Sequence, residues 1–133
     1  MDDFYKEYIL EHYRNPHNFG RLDAPDASAE DRNPLCGDQI RIELNVDESG
    51  RVSDVRFSGK GCAISQASAS MLTDSIKGQP LEDVARLGKD VVLENLGFGI
   101  TAARMKCATL CLKVLKSAAL GEIATWPDDE QAG

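Results

Sequence analysis

The sequence predicts an α+β fold, in which a small antiparallel sheet packs against helices. Apolar and polar residues alternate over 40–46, which is typical of a half-buried strand. A second strand pattern follows over 52–58, and a short turn at 47–50 joins the two. Helical patterns lie on both sides of these strands. Links this short favour an antiparallel meander over a parallel sheet with long crossovers.

A first helix is predicted over residues 2–14, where apolar residues recur at helical spacing: Phe4, Tyr5, Ile9, Leu10 and Tyr13. The helix ends at Asn15-Pro16, because the residue before a proline avoids the α region. We expect His12 and His17 to be ordinary surface or helix-end residues. Residues 17–34 are rich in turn formers and lack an apolar period, so they are predicted to form a long loop.

The second strand starts out of phase at Val52, which predicts a bulge or a late start there. A short third strand is expected near Gly61–Ala63. Four helices are predicted after the strands: 65–76, 81–87, 90–96 and 101–120. Ser65 is the expected N-cap of the first of them. The predicted organisation is one domain over 1–121, followed by an acidic tail over 122–133 that we expect to be disordered.

The chain has 133 residues, 42% hydrophobic and 28% charged, which suits one globular domain with its own core. A net charge of −7 argues against nucleic acid as a partner, because phosphate binding requires an excess of Lys and Arg. No apolar run approaches the roughly 18 residues of a membrane helix. The acidic N-terminus does not resemble a signal peptide, so we expect a cytoplasmic protein that contacts no membrane.

Three of the four cysteines lie at predicted element boundaries: Cys36, Cys62 and Cys107. Cys36 is followed two residues later by Asp38, and Gly37 between them permits a tight turn. Cys62 precedes a predicted helix and Cys107 lies in the first two turns of another. The partial positive charge of a helix N-terminus favours thiolate over thiol.

Three thiolates and one carboxylate form a set of four ligands that suits tetrahedral zinc or the iron of a cluster. Lys60, Arg104 and Lys106 add positive charge beside these cysteines. The alternative is that the cysteines are inert core residues, which is common for free cysteine. The chain has no Cys-x-x-Cys pair, so spacing alone does not indicate a zinc ribbon. Cys111 lies one helical turn after Cys107 among leucines and valines, and we interpret it as a packing residue.

Four segments carry a resemblance to a known family: Tyr13-Arg14-Asn15-Pro16-His17-Asn18, Asn33-Pro34-Leu35-Cys36-Gly37-Asp38, Gly59-Lys60-Gly61-Cys62-Ala63-Ile64-Ser65-Gln66-Ala67-Ser68 and Arg104-Met105-Lys106-Cys107-Ala108-Thr109-Leu110. Over about residues 4–120 the chain resembles the U-type iron–sulfur scaffold proteins, namely IscU, SufU and the N-terminal domain of NifU. The resemblance implies a SufE/NifU-like α+β domain with a mainly antiparallel three-stranded sheet and about four to five helices.

The resemblance also implies a site for zinc or a cluster at one end of the domain, formed by Cys36, Asp38, Cys62 and Cys107. Its implied role is to accept sulfur from a SufS- or IscS-type cysteine desulfurase, and to build a [2Fe–2S] or [4Fe–4S] cluster transiently for recipient apo-proteins. Such a protein is not an enzyme in its own right, although a sulfurtransferase role beside the desulfurase fits it. We expect Cys36 to accept the sulfur, with Cys107 as the alternative.

Arg104 and Lys106 are expected to steady the anionic sulfur. We expect zinc in the purified protein, because zinc competes well for thiolate sites. The oligomeric expectation is a monomer or a weak homo-oligomer.

Two departures from the family pattern define the subtype. IscU proteins carry a histidine immediately before the third cysteine, where this chain has Lys106, and a Leu-Pro-Pro-Val-Lys motif upstream, where it has Ile100-Thr101-Ala102-Ala103-Arg104. The motifs around Cys62 and Cys107 are similar to those of SufU, but the stretch between them is too short for the insertion that SufU proteins carry. Three alternatives stay open beside the scaffold: a zinc-dependent sulfur relay that builds no cluster, a structural zinc adaptor, and a thiol enzyme such as a peroxidase or protease.

Overall fold

The computed structural model describes residues 3–34, 37–97 and 100–121 of the chain. Its elements follow in the order α1 (Asp3–Arg14), β1 (Ala27–Arg32), β2 (Gln39–Val46), β3 (Val52–Lys60), α2 (Ala63–Ile76), α3 (Leu81–Ala85), α4 (Lys89–Leu96) and α5 (Ala102–Leu120). The strands form an antiparallel meander in the order β1-β2-β3. This architecture confirms the predicted α+β fold with a three-stranded sheet and five helices. Cys36 and the predicted acidic tail over 122–133 lie outside the described residues.

The strand β1 is the main correction to the sequence analysis, which had predicted a loop over 17–34. Its residues are small or charged, so they show no apolar alternation that could indicate a strand. Pairing with β2 fixes the strand instead, in a register that runs from Ala27 opposite Leu44 to Arg32 opposite Gln39. An ion pair from Asp31 to Lys113 of α5 also anchors it.

The short strand predicted near Gly61–Ala63 is wrong, because β3 ends at Lys60 and α2 begins at Ala63. The helix α2 starts two residues earlier than predicted, so Ser65 is a buried helix residue and not the N-cap. The bulge expected near Val52 is confirmed: Asn45 pairs with Asp54 and Val46 with Val52, so the strand carries an extra residue between those pairs.

The core lies between one face of the sheet and the helices. Alternation along β2 and β3 turns Ile40, Ile42, Leu44, Val55 and Phe57 to this side, and all five are fully buried. The helix α5 packs on β1 and β2, α2 packs on β3, and the two helices also contact each other. No described helix is long and apolar enough to cross a bilayer.

Candidate metal and sulfur site

The sheet register brings Asp38 and Cys62 together. Gln39, at the start of β2, pairs with Lys60, at the end of β3, so the residues just outside these two ends are neighbours. Asp38 Oδ1 accepts the backbone N–H of Cys62 at 2.9 Å, and the Cys62 thiol lies 3.7 Å from Asp38 Oδ2. One carboxylate oxygen is thus held by the backbone, and the other faces sulfur. Asp38 is 2% exposed, so this contact lies in the interior of the site.

Gly61 permits the close approach of the Asp38 carboxylate. A Cβ at position 61 would lie 2.3 Å from Asp38 Oδ1, a distance that no real Cβ tolerates, and the residue has a φ of +155°. Gly37, on the other side of Asp38, has a φ of +76° and makes the predicted turn. Glycine at these two positions therefore sets where the carboxylate lies.

Cys62 is the N-cap residue of α2, and no acidic residue occupies the first turn of that helix. The unpaired amide groups and the dipole of a helix N-terminus favour negative charge at this point. The carboxylate of Asp38 supplies negative charge at this helix N-terminus, and a thiolate at Cys62 would add more. The sequence prediction that Cys62 lies at a helix N-terminus is confirmed.

Cys107 lies in the second turn of α5, is 5% exposed, and faces the same point. The side-chain amide of Asn33 lies 3.8 Å from its sulfur, within the range of an N–H···S hydrogen bond. Asn33 itself is 1% exposed. The sequence analysis placed Asn33 in a family-like segment but gave it no role, since an asparagine carries no metal-binding signal of its own.

Asp38, Cys62 and Cys107 can each offer one ligand atom, and these three atoms lie within 4.8 Å of one another. Metal–sulfur bonds of about 2.3 Å and metal–oxygen bonds of about 2.1 Å put tetrahedral S and O ligands about 3.6 Å apart. The 3.7 Å between Cys62 Sγ and Asp38 Oδ2 is close to that separation. Two sulfurs and one carboxylate oxygen therefore fit zinc or a thiolate-bound iron, with a small inward adjustment.

The fourth predicted ligand, Cys36, lies outside the described residues. Pro34 and Gly37, which are described on either side of it, are exposed. Arg104 is exposed and Lys106 is half-buried, both on α5 just before Cys107. The roles of all six predicted site residues remain predictions, but the structure brings three of them into contact range of one ion.

Cys111 behaves differently from Cys107, one turn away on the same helix. It is 1% exposed and its thiol donates to the carbonyl oxygen of Ala108 at 3.6 Å. Burial raises the pKa of the Cys111 thiol to about 12, so it stays protonated at neutral pH. The packing role predicted for Cys111 is confirmed.

The two histidines lie apart from this group. His17 is exposed, as expected, and its Nδ1 lies 2.5 Å from Asp74 Oδ2. His12 lies in the last turn of α1, so it is a helix-end residue, but it is not on the surface: it is 4% exposed, and its Nδ1 lies 2.7 Å from Ser70 Oγ on α2. The helical periodicity of α1 could not show this, because the partner is a single serine 58 residues away.

Comparison with known proteins gives this geometry a context. The model of the NifU-like N-terminal domain matches residues 4–123. The zinc-dependent sulfurtransferase SufU of Bacillus subtilis is 39% identical, over 87% of this chain and 89% of that protein. The iron–sulfur cluster assembly scaffold protein IscU 1 of Archaeoglobus fulgidus is 33% identical, over 86% of this chain and 73% of that protein.

The SufU alignment spans 134 positions although it covers only 87% of this chain, so SufU has additional residues in the aligned region. This agrees with the prediction that the chain lacks a SufU insertion. Among solved structures, a nitrogen-fixing NifU-like protein (N-terminal) from Brucella abortus superposes with a TM-score of 0.69 at 27% identity, covering 88% of this chain and 92% of that one. The chain belongs to the family of NifU-like N-terminal domains, which includes the U-type scaffold proteins.

Proposed function

We propose that this chain accepts sulfur from a cysteine desulfurase and serves as a scaffold on which iron–sulfur clusters are assembled. The observation that carries the proposal is the convergence of two cysteine sulfurs and a carboxylate oxygen within 4.8 Å at the end of the sheet. The names of the relatives, an iron–sulfur scaffold and a zinc-dependent sulfurtransferase, support the same reading. The iron–sulfur cluster is then the cargo of the protein, and we expect zinc to occupy the site when no cluster is bound.

In this proposal Cys62, Cys107 and Asp38 hold the ion, and Cys36 completes the set. Bound zinc would keep the cysteines in the thiolate form at neutral pH. Asp38 contributes a single oxygen, because its other oxygen is held by the Cys62 N–H. A hard oxygen beside soft sulfurs is the weaker ligand for zinc or iron, which suits a site that must load and release.

Sulfur acceptance requires no redox partner. A thiolate of this chain attacks the terminal sulfur of the desulfurase persulfide, forming a new S–S bond as the old one breaks. The departing desulfurase cysteine keeps the electron pair and leaves as a thiolate. We assign Cys36 as the attacking group, since both described residues flanking its segment are exposed. Cys107 is the weaker candidate because it is 5% exposed and bonded by Asn33.

Positive charge near the site would favour the anionic persulfide product. Arg104 and Lys106 lie three residues and one residue before Cys107, and Lys60 is exposed at the end of β3. This is local positive charge in a chain of net charge −7. It supports a role for Arg104 and Lys106 in steadying the transferred sulfur.

The second candidate is a zinc-dependent relay that passes sulfur on without building a cluster. Two observations favour it: the SufU relative bears that description at 39% identity, and Lys106 stands where IscU proteins have a histidine. Scaffold and relay share the desulfurase as sulfur donor. They differ in whether iron enters the site and in whether recipient apo-proteins receive a cluster or only sulfur.

Anaerobic incubation of the chain with a SufS- or IscS-type desulfurase and cysteine tests the proposal, with sulfane sulfur on the chain measured by mass spectrometry. We expect transfer to the wild type and to the control Cys111→Ser, and loss of transfer in Cys36→Ser. Absence of transfer to the wild type would overturn the proposal, and normal transfer to Cys36→Ser would overturn the assignment of Cys36. Adding ferrous iron separates the candidates: an iron–sulfur absorbance band supports the scaffold, and persulfide without such a band supports the relay.

A further inference from the structure

Asn33 lies where the segment that carries Cys36 and Asp38 meets the helix α5. Its backbone N–H donates to the carbonyl oxygen of Asp38 at 2.8 Å, and its carbonyl oxygen accepts the N–H of Gly37 at 2.9 Å. These two bonds hold Asn33 next to Gly37 and Asp38. The side chain leaves the turn and reaches Cys107, 74 residues further along the chain. Asn33 is therefore the physical link between the turn and the helical cysteine.

The chemistry of the contact fixes which end of the amide faces the sulfur. A thiolate is an acceptor only, so the Asn33 oxygen would repel it, whereas the Nδ2 protons can donate to it. Hydrogen bonds to charged acceptors are stronger than neutral ones, and both partners of this one are buried. With Asn33 1% exposed and Cys107 5% exposed, solvent does not compete for either group.

We propose that Asn33 is a positioning residue for the metal site, whose side-chain N–H···S bond fixes the Cys107 sulfur and joins the 33–38 turn to α5. The inference rests on the proposed metal-binding function and adds to it a residue outside the ligand set. A hydrogen-bond donor to the Cys107 sulfur stabilises its thiolate form and holds it in the ligand position, and by withdrawing electron density it also makes the sulfur a poorer nucleophile. Cys107 then serves as a metal ligand, and sulfur acceptance remains the role of Cys36.

Removal of an outer-shell hydrogen bond in a metal site commonly weakens affinity about 10- to 100-fold. We expect a loss of this size for Co²⁺ in Asn33→Ala and in Asn33→Leu, which keeps the branched shape of the side chain in a larger volume but has no donor. The control is Asn95→Ala, since the side-chain amide of Asn95 donates to Ser75 Oγ at 3.3 Å. Ser75 lies near the opposite end of α2 from Cys62, about 20 Å away along the helix.

The measurement is the Kd of Co²⁺ by chelator competition, together with the thiolate-to-cobalt charge-transfer band. Asn33→Ala should weaken binding and shift the band, and Asn95→Ala should match the wild type. In a Cys107→Ala background the same Asn33→Ala change should have no further effect, because the sulfur on which it acts is gone. A purely structural role of Asn33 in the turn would persist in that background.

A folded Asn33→Ala protein with the Kd and band of the wild type would overturn the inference, as would an undiminished effect without Cys107. A wild-type protein that binds no cobalt would overturn the proposed function itself. If neither variant folds, the cadmium-loaded wild type decides. Scalar coupling between cadmium and the Asn33 side-chain amide protons supports the bond, and amide signals unchanged by cadmium contradict it.

Discussion

At the scale of single residues, the site depends on a glycine as much as on its ligands. Gly61→Ala would place a Cβ 2.3 Å from Asp38 Oδ1, so either the carboxylate or the end of β3 must move. We expect metal affinity to fall at least about tenfold, as for other changes that misplace a ligand. Isothermal titration of the apo-protein with zinc measures this change.

The matched control for Gly61→Ala is Gly20→Ala. Gly20 also has a positive φ, +134°, but a Cβ there would meet nothing within 4 Å. Both substitutions therefore carry the backbone strain of a left-handed residue, about 1–2 kcal/mol, and only one displaces Asp38. Equal zinc affinities in the two variants would show that close approach at Gly61 does not position the carboxylate.

The ligand types could be predicted from the sequence, but their surroundings could not. Cys62 and Asp38 carry metal-binding chemistry wherever they occur, and the resemblance to the U-type scaffolds placed them in one site. Asn33 has no such signature, and its contact with Cys107 depends on packing between segments 74 residues apart. The role of a buried amide becomes visible only when the atom that it faces is known.

At the scale of elements, His12 joins α1 to α2. Ser70 Oγ accepts the His17 backbone N–H at 2.8 Å, so the hydroxyl proton is free to donate to His12 Nδ1. When the hydroxyl donates to Nδ1, the imidazole is neutral with its proton on Nε2. Burial and the nearby His17 hold the pKa of His12 below its ordinary value of 6.5, against the opposing charges of Asp74 and Glu11.

The sign of the pH dependence follows from the lowered pKa of His12. The folded state favours neutral His12, so its contribution is fully present above pH 6.5 and is lost as pH falls through the lowered folded pKa. We expect the free energy of unfolding, measured by urea denaturation, to decrease as the pH is lowered from about 7 to about 5. The decrease should be less than about 1.4 kcal/mol per pH unit. The variant His12→Gln should show a flatter profile across this range. If the free energy of unfolding of His12→Gln fell with pH as steeply as that of the wild type, other titratable groups would control the loss of stability at low pH.

The strand β1 shows why one element escaped prediction while its neighbour did not. β2 buries Ile40, Ile42 and Leu44 on one face, so its apolar alternation predicts a strand from the local sequence alone. β1 turns Ala27, Ala29 and Asp31 to the same side, none of them a large apolar residue, and its position depends on pairing with β2 and on the Asp31–Lys113 ion pair. Such long-range determinants leave no period in the sequence.

At the scale of the whole molecule, the core and the site are largely separate. The buried apolar cluster extends through the sheet and all five helices, and Cys111 belongs to it, whereas Asp38, Cys62 and Cys107 lie outside it. A chain with such a core should fold without the metal, unlike a small zinc domain that depends on its ion. Loss of metal binding in a site variant can therefore be measured on a folded protein.

The most direct test of the metal site compares two cysteines on one helix. Cys107 and Cys111 are both buried and lie one turn apart on α5, so replacing either by alanine removes the same atoms from the same element. The measurement is the zinc bound per chain after anaerobic reconstitution and removal of free metal, with circular dichroism as the check on folding. The account predicts stoichiometric zinc in the wild type and Cys111→Ala and a large loss in Cys107→Ala. Stoichiometric zinc in Cys107→Ala, or an equal loss in both variants, would contradict it.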